Sequence, residues 1–380
     1  MTTIPQLGIE ASRPASSSRI PRAPCSDGIK NATPLMNRKE LAVASSETTM
    51  IDQRVPAPTS GVATGSVCIP HACIPPGYLG VGRVPLPVIG AWDRRPATPG
   101  YAALAALTRL SQMRLGRIAS PDGVAFVSIE GELDNPAEMI AREIAEHPFG
   151  TPNFTGRSWP LADVRLLAPI LASKVVCVGK NYADHIAEMG EATGPVPADP
   201  VIFLKPNTAI IGPNVPIRLP ANASPVHFEG ELAVVIGRPC KDVSAAQAAE
   251  NILGYTIGND VSARDQQRSD GQWTRAKGHD TFCPVGPWIV TDLNPLDPGD
   301  LELRTEVNGE VKQRSRTSLL IHDIGSIVEW ISAVMTLLPG DLILTGTPAG
   351  VGPIEDGDTV SITIEGIGTL TNPVVRKGKS

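Results

Sequence analysis

The run His227-Phe-Glu-Gly-Glu-Leu-Ala-Val-Val-Ile236 constrains the fold of this chain more than any other stretch. Strand side chains alternate between two faces. Glu229, Glu231, Ala233 and Val235 then share one face, and Phe228, Leu232, Val234 and Ile236 the other. Apolar side chains on both faces make this a buried strand, covered on each side. Further strands are predicted at Leu115–Ala119 and Val124–Glu130 about a Ser-Pro-Asp-Gly turn, at Lys174–Gly179, and at 226–237 and 255–260. Asn308-Gly309 between alternating stretches of 301–314 predicts a tight hairpin. Strands at 341–345, 358–364 and 367–375 follow. Helical spacing of Ile324, Ile327, Val328, Ile331, Val334, Met335 and Leu338 predicts one amphipathic helix over 323–338. Shorter helices are expected at Pro136–His147, at Tyr182–Met189, and from Ser244, with Gln247 placed for a capping box. Strands dominate and no regular βαβ alternation appears. The class is a β-rich α+β fold, which excludes a Rossmann-type sheet.

Composition separates the front of the chain from the rest. Residues 1–112 hold 14 of the 37 prolines and are net basic, whereas the remainder is net acidic. Apart from a helical stretch at Tyr101–Met113 no periodicity is sustained there, so a disordered extension is expected. It reads as a transit peptide, weakened by Glu10 and Asp27, as an interaction tail, or as a translation artefact with Met113 the natural start. The last is preferred, because Met113-Arg-Leu-Gly-Arg-Ile118 opens a strand directly. A net charge of −6 gives no attraction to nucleic acid or an anionic membrane. No apolar run approaches the ~18 residues of a membrane span. The cysteines at 25, 68, 73, 177, 240 and 283 form no CxxC pair, a pattern of reduced thiols in a cytoplasmic protein.

Two carboxylates on one face of a buried strand, Glu229 and Glu231, repel each other and lose solvation. A hard divalent cation relieves both penalties, since Mg²⁺, Mn²⁺ and Ca²⁺ prefer oxygen ligands. Asp260, ending the strand Tyr255–Asp260, is placed to supply a third. Alone, E-x-E also suits a solvated strand end, and Asp260 a turn or cap. His185 and Glu188 are helical neighbours. A carboxylate beside a histidine fixes its tautomer and raises its basicity, as a general base requires, though a surface ion pair has the same spacing. Lys277 lies in Trp273-Thr-Arg-Ala-Lys-Gly-His-Asp-Thr-Phe282. Thr345-Gly-Thr-Pro-Ala-Gly-Val351 follows a strand and offers hydroxyls and N–H groups to an anion. It lacks the lysine of a P-loop, so nucleotide binding is unsupported. No His/Cys cluster suggests zinc.

Taken in order, these pieces resemble the fumarylacetoacetate hydrolase family, in its bacterial diketo-acid hydrolase and isomerase branch. The matching segments are Gly179-Lys-Asn-Tyr-Ala-Asp-His185 with Glu188, Phe203-Leu-Lys-Pro206, His227-Phe-Glu-Gly-Glu231, Asn259-Asp-Val-Ser-Ala-Arg-Asp265 with Gln267, 277–287, and Thr345-Gly-Thr-Pro348 with Gly350-Val-Gly352. The resemblance implies a mixed β-roll, with a small N-terminal module at 113–170, a catalytic domain at 171–380, and nothing matching 1–112. It implies Glu229, Glu231 and Asp260 as ligands of Mg²⁺ or Mn²⁺, and His185 with Glu188 as the dyad handling water or a substrate proton. Lys277 would stabilise an enolate or orient the substrate. Arg264, Gln267 and Thr347 would contact its carboxylate and oxo groups. A homodimer is implied.

The chemistry expected from such a site is metal-dependent turnover of small 2-oxo or diketo dicarboxylic acids. If His185 shuttles a proton, the enzyme is an isomerase of the 2-hydroxyhepta-2,4-diene-1,7-dioate type. If it activates water, the enzyme is a C–C bond hydrolase of aromatic-compound catabolism. An oxaloacetate decarboxylase or tautomerase is the alternative with the same constellation. A non-catalytic metal-binding protein is the reading from another class.

Overall fold

The computed structural model describes residues 113–133, 135–190 and 196–376. The readings of the extension, and the helix at Tyr101–Met113 in all but its last residue, lie outside these residues. Chain order begins with β1 (Arg114–Ser120), β2 (Gly123–Glu130), β3 (Ile140–Ile144), β4 (Phe154–Pro160) and β5 (Arg165–Leu166). Then come β6 (Val175–Gly179), α1 (Ala183–Met189), β7 (Val201–Lys205), β8 (Ile210–Ile211) and β9 (Ile217–Leu219). The acidic run is split into β10 (Val226–His227) and β11 (Gly230–Ile236), followed by β12 (Ile252–Asn259), β13 (Ser262–Ala263), α2 (Arg264–Ser269) and α3 (Thr274–Lys277). The rest is β14 (Cys283–Val290), β15 (Glu302–Val307), β16 (Glu310–Arg316), α4 (Ile324–Val334), β17 (Leu342–Leu344), β18 (Thr359–Ile364) and β19 (Gly368–Arg376).

The main sheet runs β4-β3-β2-β1-β14-β12-β11-β17-β6-β7, with β5 beside β1 and β8 beside β14. It is antiparallel along this path except for the β17–β6 pair, so the sheet is mixed. A five-stranded sheet, β16-β15-β18-β19-β9, packs against it, and β10 pairs with β13. β11 is central and buried at every position. Its alternation divides two cores. Leu232, Val234 and Ile236 join Val360 and Ile362 of the second sheet and Ile327, Val328 and Ile331 of α4. Ala233 and Val235 join Val175, Cys177, Leu342 and Leu344. The hairpin turn between β15 and β16 has positive φ at Asn308 (55°) and Gly309 (80°), matching the twist of paired strands.

Four local readings are corrected. Pro136–His147 is not a helix: a 3₁₀ turn at Pro136–Glu138 leads into β3, which pairs with both β2 and β4. The open edge of β2 recruits a weakly helical segment, so tertiary pairing overrides propensity. The helix after Ser244 is a 3₁₀ helix at Ala245–Asn251; Gln247 Oε1 does accept from Ser244 N at 3.1 Å. α4 stops at Val334, four residues short of the predicted end. Leu337 instead exchanges backbone bonds with Cys240, both N···O distances being 3.0 Å. Asp323 caps the helix start by accepting from Ser326 N at 2.7 Å. Finally, the strand expected over 226–237 breaks at Phe228-Glu229, where Phe228 N turns to Gly352 O at 3.2 Å.

Candidate active site

The antiparallel pairing of β11 with β12 sets Gly230 opposite Asn259 and Glu231 opposite Gly258. The end of one strand therefore lies beside the start of the other. Glu229 N donates to Asn259 Oδ1 at 3.0 Å, and Asp260 N donates to Glu229 O at 2.9 Å. These bonds fold the break between β10 and β11 around the tip of β12. Glu229, Glu231 and Asp260 consequently bring carboxylate oxygens within 4.8 Å of one another, all three residues buried.

Three buried cations surround this cluster. Lys277 Nζ donates to Glu229 Oε2 at 2.8 Å and to Asp260 Oδ2 at 2.6 Å. Lys205 Nζ donates to Asp260 Oδ1 and to Val261 O at 3.1 Å. Arg264 pairs with Glu229 Oε1 through Nη2, and its Nη1 donates to Gln267 Oε1 at 2.7 Å. Charge balance divides the acids. Burial pushes the Glu229 carboxyl up, but Arg264 and Lys277 outweigh it and hold the group well below the usual carboxylate range. Burial, reinforced by Asp260 and Glu229, pushes Glu231 well above that range, and the Gly346 N–H, 2.7 Å away, offsets only part of this. Burial works to lower Lys277, yet the Asp260 and Glu229 carboxylates hold it above the ordinary lysine value.

The donor set fits a hard divalent cation. It consists of carboxylate oxygens converging at the ends of two adjacent strands, and one of the acids, Glu231, is strongly disfavoured as an anion by burial and then by its acidic neighbours. A bound cation removes that penalty. Glu229, Glu231 and Asp260 are the residues that would hold it.

His185 and Glu188 lie on α1, with Nδ1 and a Glu188 oxygen 3.3 Å apart. Both Glu188 oxygens accept from Gly350 N at 3.1 Å, so the acid is itself anchored. Of the nine residues singled out from the sequence, all but Glu188 line one cavity of about 60 Å³; Glu188 stands behind His185. Phe203 and Trp273 form an apolar wall, their rings edge-to-face at 5.2 Å, with Lys277 Nζ 4.9 Å from the Phe203 centroid. Thr347 belongs to the lining, but its hydroxyl donates to Gly230 O at 2.9 Å and accepts from Gln313 Nε2 at 2.8 Å. It is engaged mainly with the protein.

Sequence reasoning assigned no role to three residues that the structure places around the site. Lys205 is fully buried against Asp260; a lysine within the apolar run Val201–Lys205 was the available signal. Asn181 receives His322 N at 2.7 Å and donates to Thr345 O at 2.8 Å, joining the start of α1 to the 345–350 turn. Gln313 gave no signal, since its strand is polar at every position but Val311.

A β-rich fold enclosing a buried acid cluster beside a histidine–glutamate pair defines the class as a small-molecule enzyme. The chain belongs to the fumarylacetoacetate hydrolase family: the family profile "Fumarylacetoacetate (FAA) hydrolase C-terminal" matches residues 174–375, and "Rv2993c-like, N-terminal" matches 113–169. Protein Rv2993c of Mycobacterium tuberculosis is 89% identical over 267 residues, 70% of this chain and 100% of that protein. The crystal structure of 2-hydroxyhepta-2,4-diene-1,7-dioate isomerase from Mycobacterium marinum is similar at 87% identity and TM-score 0.65, covering 70% of this chain and 100% of that one. The mitochondrial oxaloacetate tautomerase FAHD2A of Bos taurus is 45% identical over 57% of this chain and 71% of its own. Fumarylpyruvate hydrolase from Pseudomonas aeruginosa, solved with Mn²⁺ and pyruvate, is 33% identical with TM-score 0.50, covering 56% and 92%. Among the described residues no helix is long and apolar enough to cross a membrane.

Proposed function

We propose that this protein is a divalent-metal-dependent isomerase or tautomerase of small 2-oxo or diketo dicarboxylic acids, of the 2-hydroxyhepta-2,4-diene-1,7-dioate type. The observation that carries the reading is a histidine, backed by an anchored glutamate, lining the same cavity as three convergent buried carboxylates. Relatives named as an isomerase and as an oxaloacetate tautomerase support it.

Glu229, Glu231 and Asp260 would hold Mg²⁺ or Mn²⁺, which when bound polarises the oxo and carboxylate oxygens of a 2-oxo acid and stabilises enolate charge. The chain's own groups do the rest. Glu188 faces Nδ1 of His185, so Nε2 is the nitrogen left to take a proton from the carbon next to the oxo group. The same nitrogen returns it to a different carbon, or to oxygen, and no water is consumed. Lys277 carries a fixed positive charge beside the site where enolate charge develops. Arg264 and Gln267 offer a paired guanidinium and amide to a substrate carboxylate. Phe203 and Trp273 keep the reacting centre dry. The expected assembly is a homodimer, checked by light scattering.

A second reading, C–C bond hydrolysis, is favoured by the similarity to fumarylpyruvate hydrolase, because the same nitrogen could activate water instead. The deciding experiment incubates the full chain and Mg²⁺ or Mn²⁺ with hydroxyheptadienedioate, oxaloacetate and acylpyruvates. Ultraviolet absorbance and product NMR are followed with and without EDTA. EDTA-sensitive isomerisation or keto–enol exchange without cleavage supports the proposal. Metal-dependent C–C cleavage makes the protein a hydrolase, and turnover unaffected by EDTA removes the metal from the reading. His185→Ala is expected to retain Mn²⁺ and lose turnover by roughly 10²–10⁴-fold.

A further inference from the structure

Among the described residues no strand lies beside Gly230, between two of the acids, on the β17 side, because β17 pairs with Ala233, Val234 and Val235. The ladder is continued there by the turn that follows β17 and by one distant side chain. Thr345 N and Oγ1 donate to Leu232 O at 3.1 and 2.9 Å. Thr347 Oγ1 donates to Gly230 O at 2.9 Å. Gly230 N donates to Oε1 of Gln313 at 3.0 Å, reaching across to β16 of the other sheet.

Gln313 is fully buried, and its amide uses both of its donors and its oxygen. Besides accepting from Gly230 N, it donates through Nε2 to Thr347 Oγ1 and to Pro348 O, both at 2.8 Å. A flipped amide would set N–H against the Gly230 N–H and oxygen against the Pro348 carbonyl, so only one orientation is tolerated. A Cβ at 230 would lie 2.3 Å from Thr305 Oγ1, so any side chain there would force the buried Thr305 to shift. The same stretch of β16 supports the dyad. Gly350, whose N–H holds Glu188, rests on it so closely that a Cβ there would lie 2.1 Å from Lys312 O.

From this geometry we infer that Gln313 is a positioning residue for the acid cluster, fixing the Glu229-Gly230-Glu231 backbone and the 345–350 turn as one unit. The inference rests on the metal-dependent reading of the site. Partners of this kind, which orient metal-binding groups without touching the ion, typically carry 10–100-fold in metal affinity or activity.

The test compares the full-length wild type with Gln313→Leu, Gln313→Glu and Thr347→Val. Mn²⁺ affinity is measured by electron paramagnetic resonance without substrate, and hydrogen exchange is followed by mass spectrometry. Each folded variant is expected to bind Mn²⁺ about tenfold or more weakly. Exchange should quicken in peptides covering 226–236 and 345–352, and remain unchanged in β1–β4. Gln313→Glu keeps an acceptor for Gly230 N but loses both donors, so it should fail at the 345–352 turn first. Should Gln313→Leu not fold, the other two variants decide. Folded variants with wild-type Mn²⁺ affinity and wild-type exchange in both segments would overturn the inference, even with a lowered Tm. A wild type that binds no Mn²⁺ sinks the metal reading instead, and the exchange data alone then judge whether Gln313 holds the two segments.

Discussion

At the scale of single residues, the site is a balance of buried charges. Glu229, Glu231 and Asp260 face Lys205, Lys277 and Arg264 in a water-poor interior, where an unpaired ion is severely penalised. Removing one member exposes its partners to that penalty. Glu229→Ala leaves Arg264 and Lys277 without a shared carboxylate and takes one donor from the candidate metal position. It is expected to abolish both Mn²⁺ retention and turnover; full activity of this variant in EDTA would refute its assignment as a ligand. Lys277→Met removes the one cation shared by Glu229 and Asp260 and leaves each buried acid a single partner, Arg264 and Lys205. In metal-free protein this should cost about 3–5 kcal/mol of stability, measured by denaturant unfolding. Added Mn²⁺ is expected to recover part of the loss, because a cation then faces the same two acids.

At the scale of elements, two carboxylates act as fasteners outside the site. Asp341, fully buried before β17, accepts from Ser173 N and Oγ, Lys174 N and Nζ, and Leu338 N. It ties the entry of β6 to that of β17 and so fixes the parallel pair that carries α1 and the 345–350 turn. Asp341→Ala orphans several donors at once and should destabilise by about 3 kcal/mol or more, read as a lowered denaturant midpoint with unchanged slope. Between β3 and β4, Glu143 accepts from Thr155 Oγ1 and from Arg157. The Thr155 hydroxyl and then the Arg157 guanidinium hold its carboxyl below the usual range, against a smaller effect of burial. A lowered folded pKa means that the contribution is present above the unfolded value and disappears as pH falls through the folded one. Glu143→Gln should therefore flatten the acid side of the stability profile below about pH 4.5, the ordinary glutamate value, while leaving the neutral side shifted by a constant amount.

For the whole molecule, the prediction concerns ligand linkage. Anything bound to the folded state alone stabilises it by mass action. Mn²⁺ at about 100 times its dissociation constant should add about 2.7 kcal/mol and raise Tm by roughly 5–10 °C, reversibly with EDTA. Glu229→Ala should show no such shift. The shift reaches the whole fold because Glu231 lies on the central strand β11, and Glu229 and Asp260 directly flank the ends of β11 and β12 in the main sheet.

Much of this was legible in one dimension. The two-faced apolar run of β11, the Asn-Gly hairpin and the strand-dominated class follow from alternation and turn chemistry, which are local. The order of motifs from Gly179 to Gly352 was enough to single out the residues that come together at the cavity, since each motif carries its own side chain. What the chain by itself left open was decided by contacts across long separations. The segment 140–144 became a strand because β2 offered an edge. Phe228-Glu229 left the ladder because the end of β12 and the 352 loop compete for its backbone. Lys205 and Gln313 matter because burial leaves each with specific partners, 55 and 83 residues away. Hydrogen bonds to a buried backbone leave no periodic trace in the sequence, so only the tertiary structure reveals which polar side chain makes them.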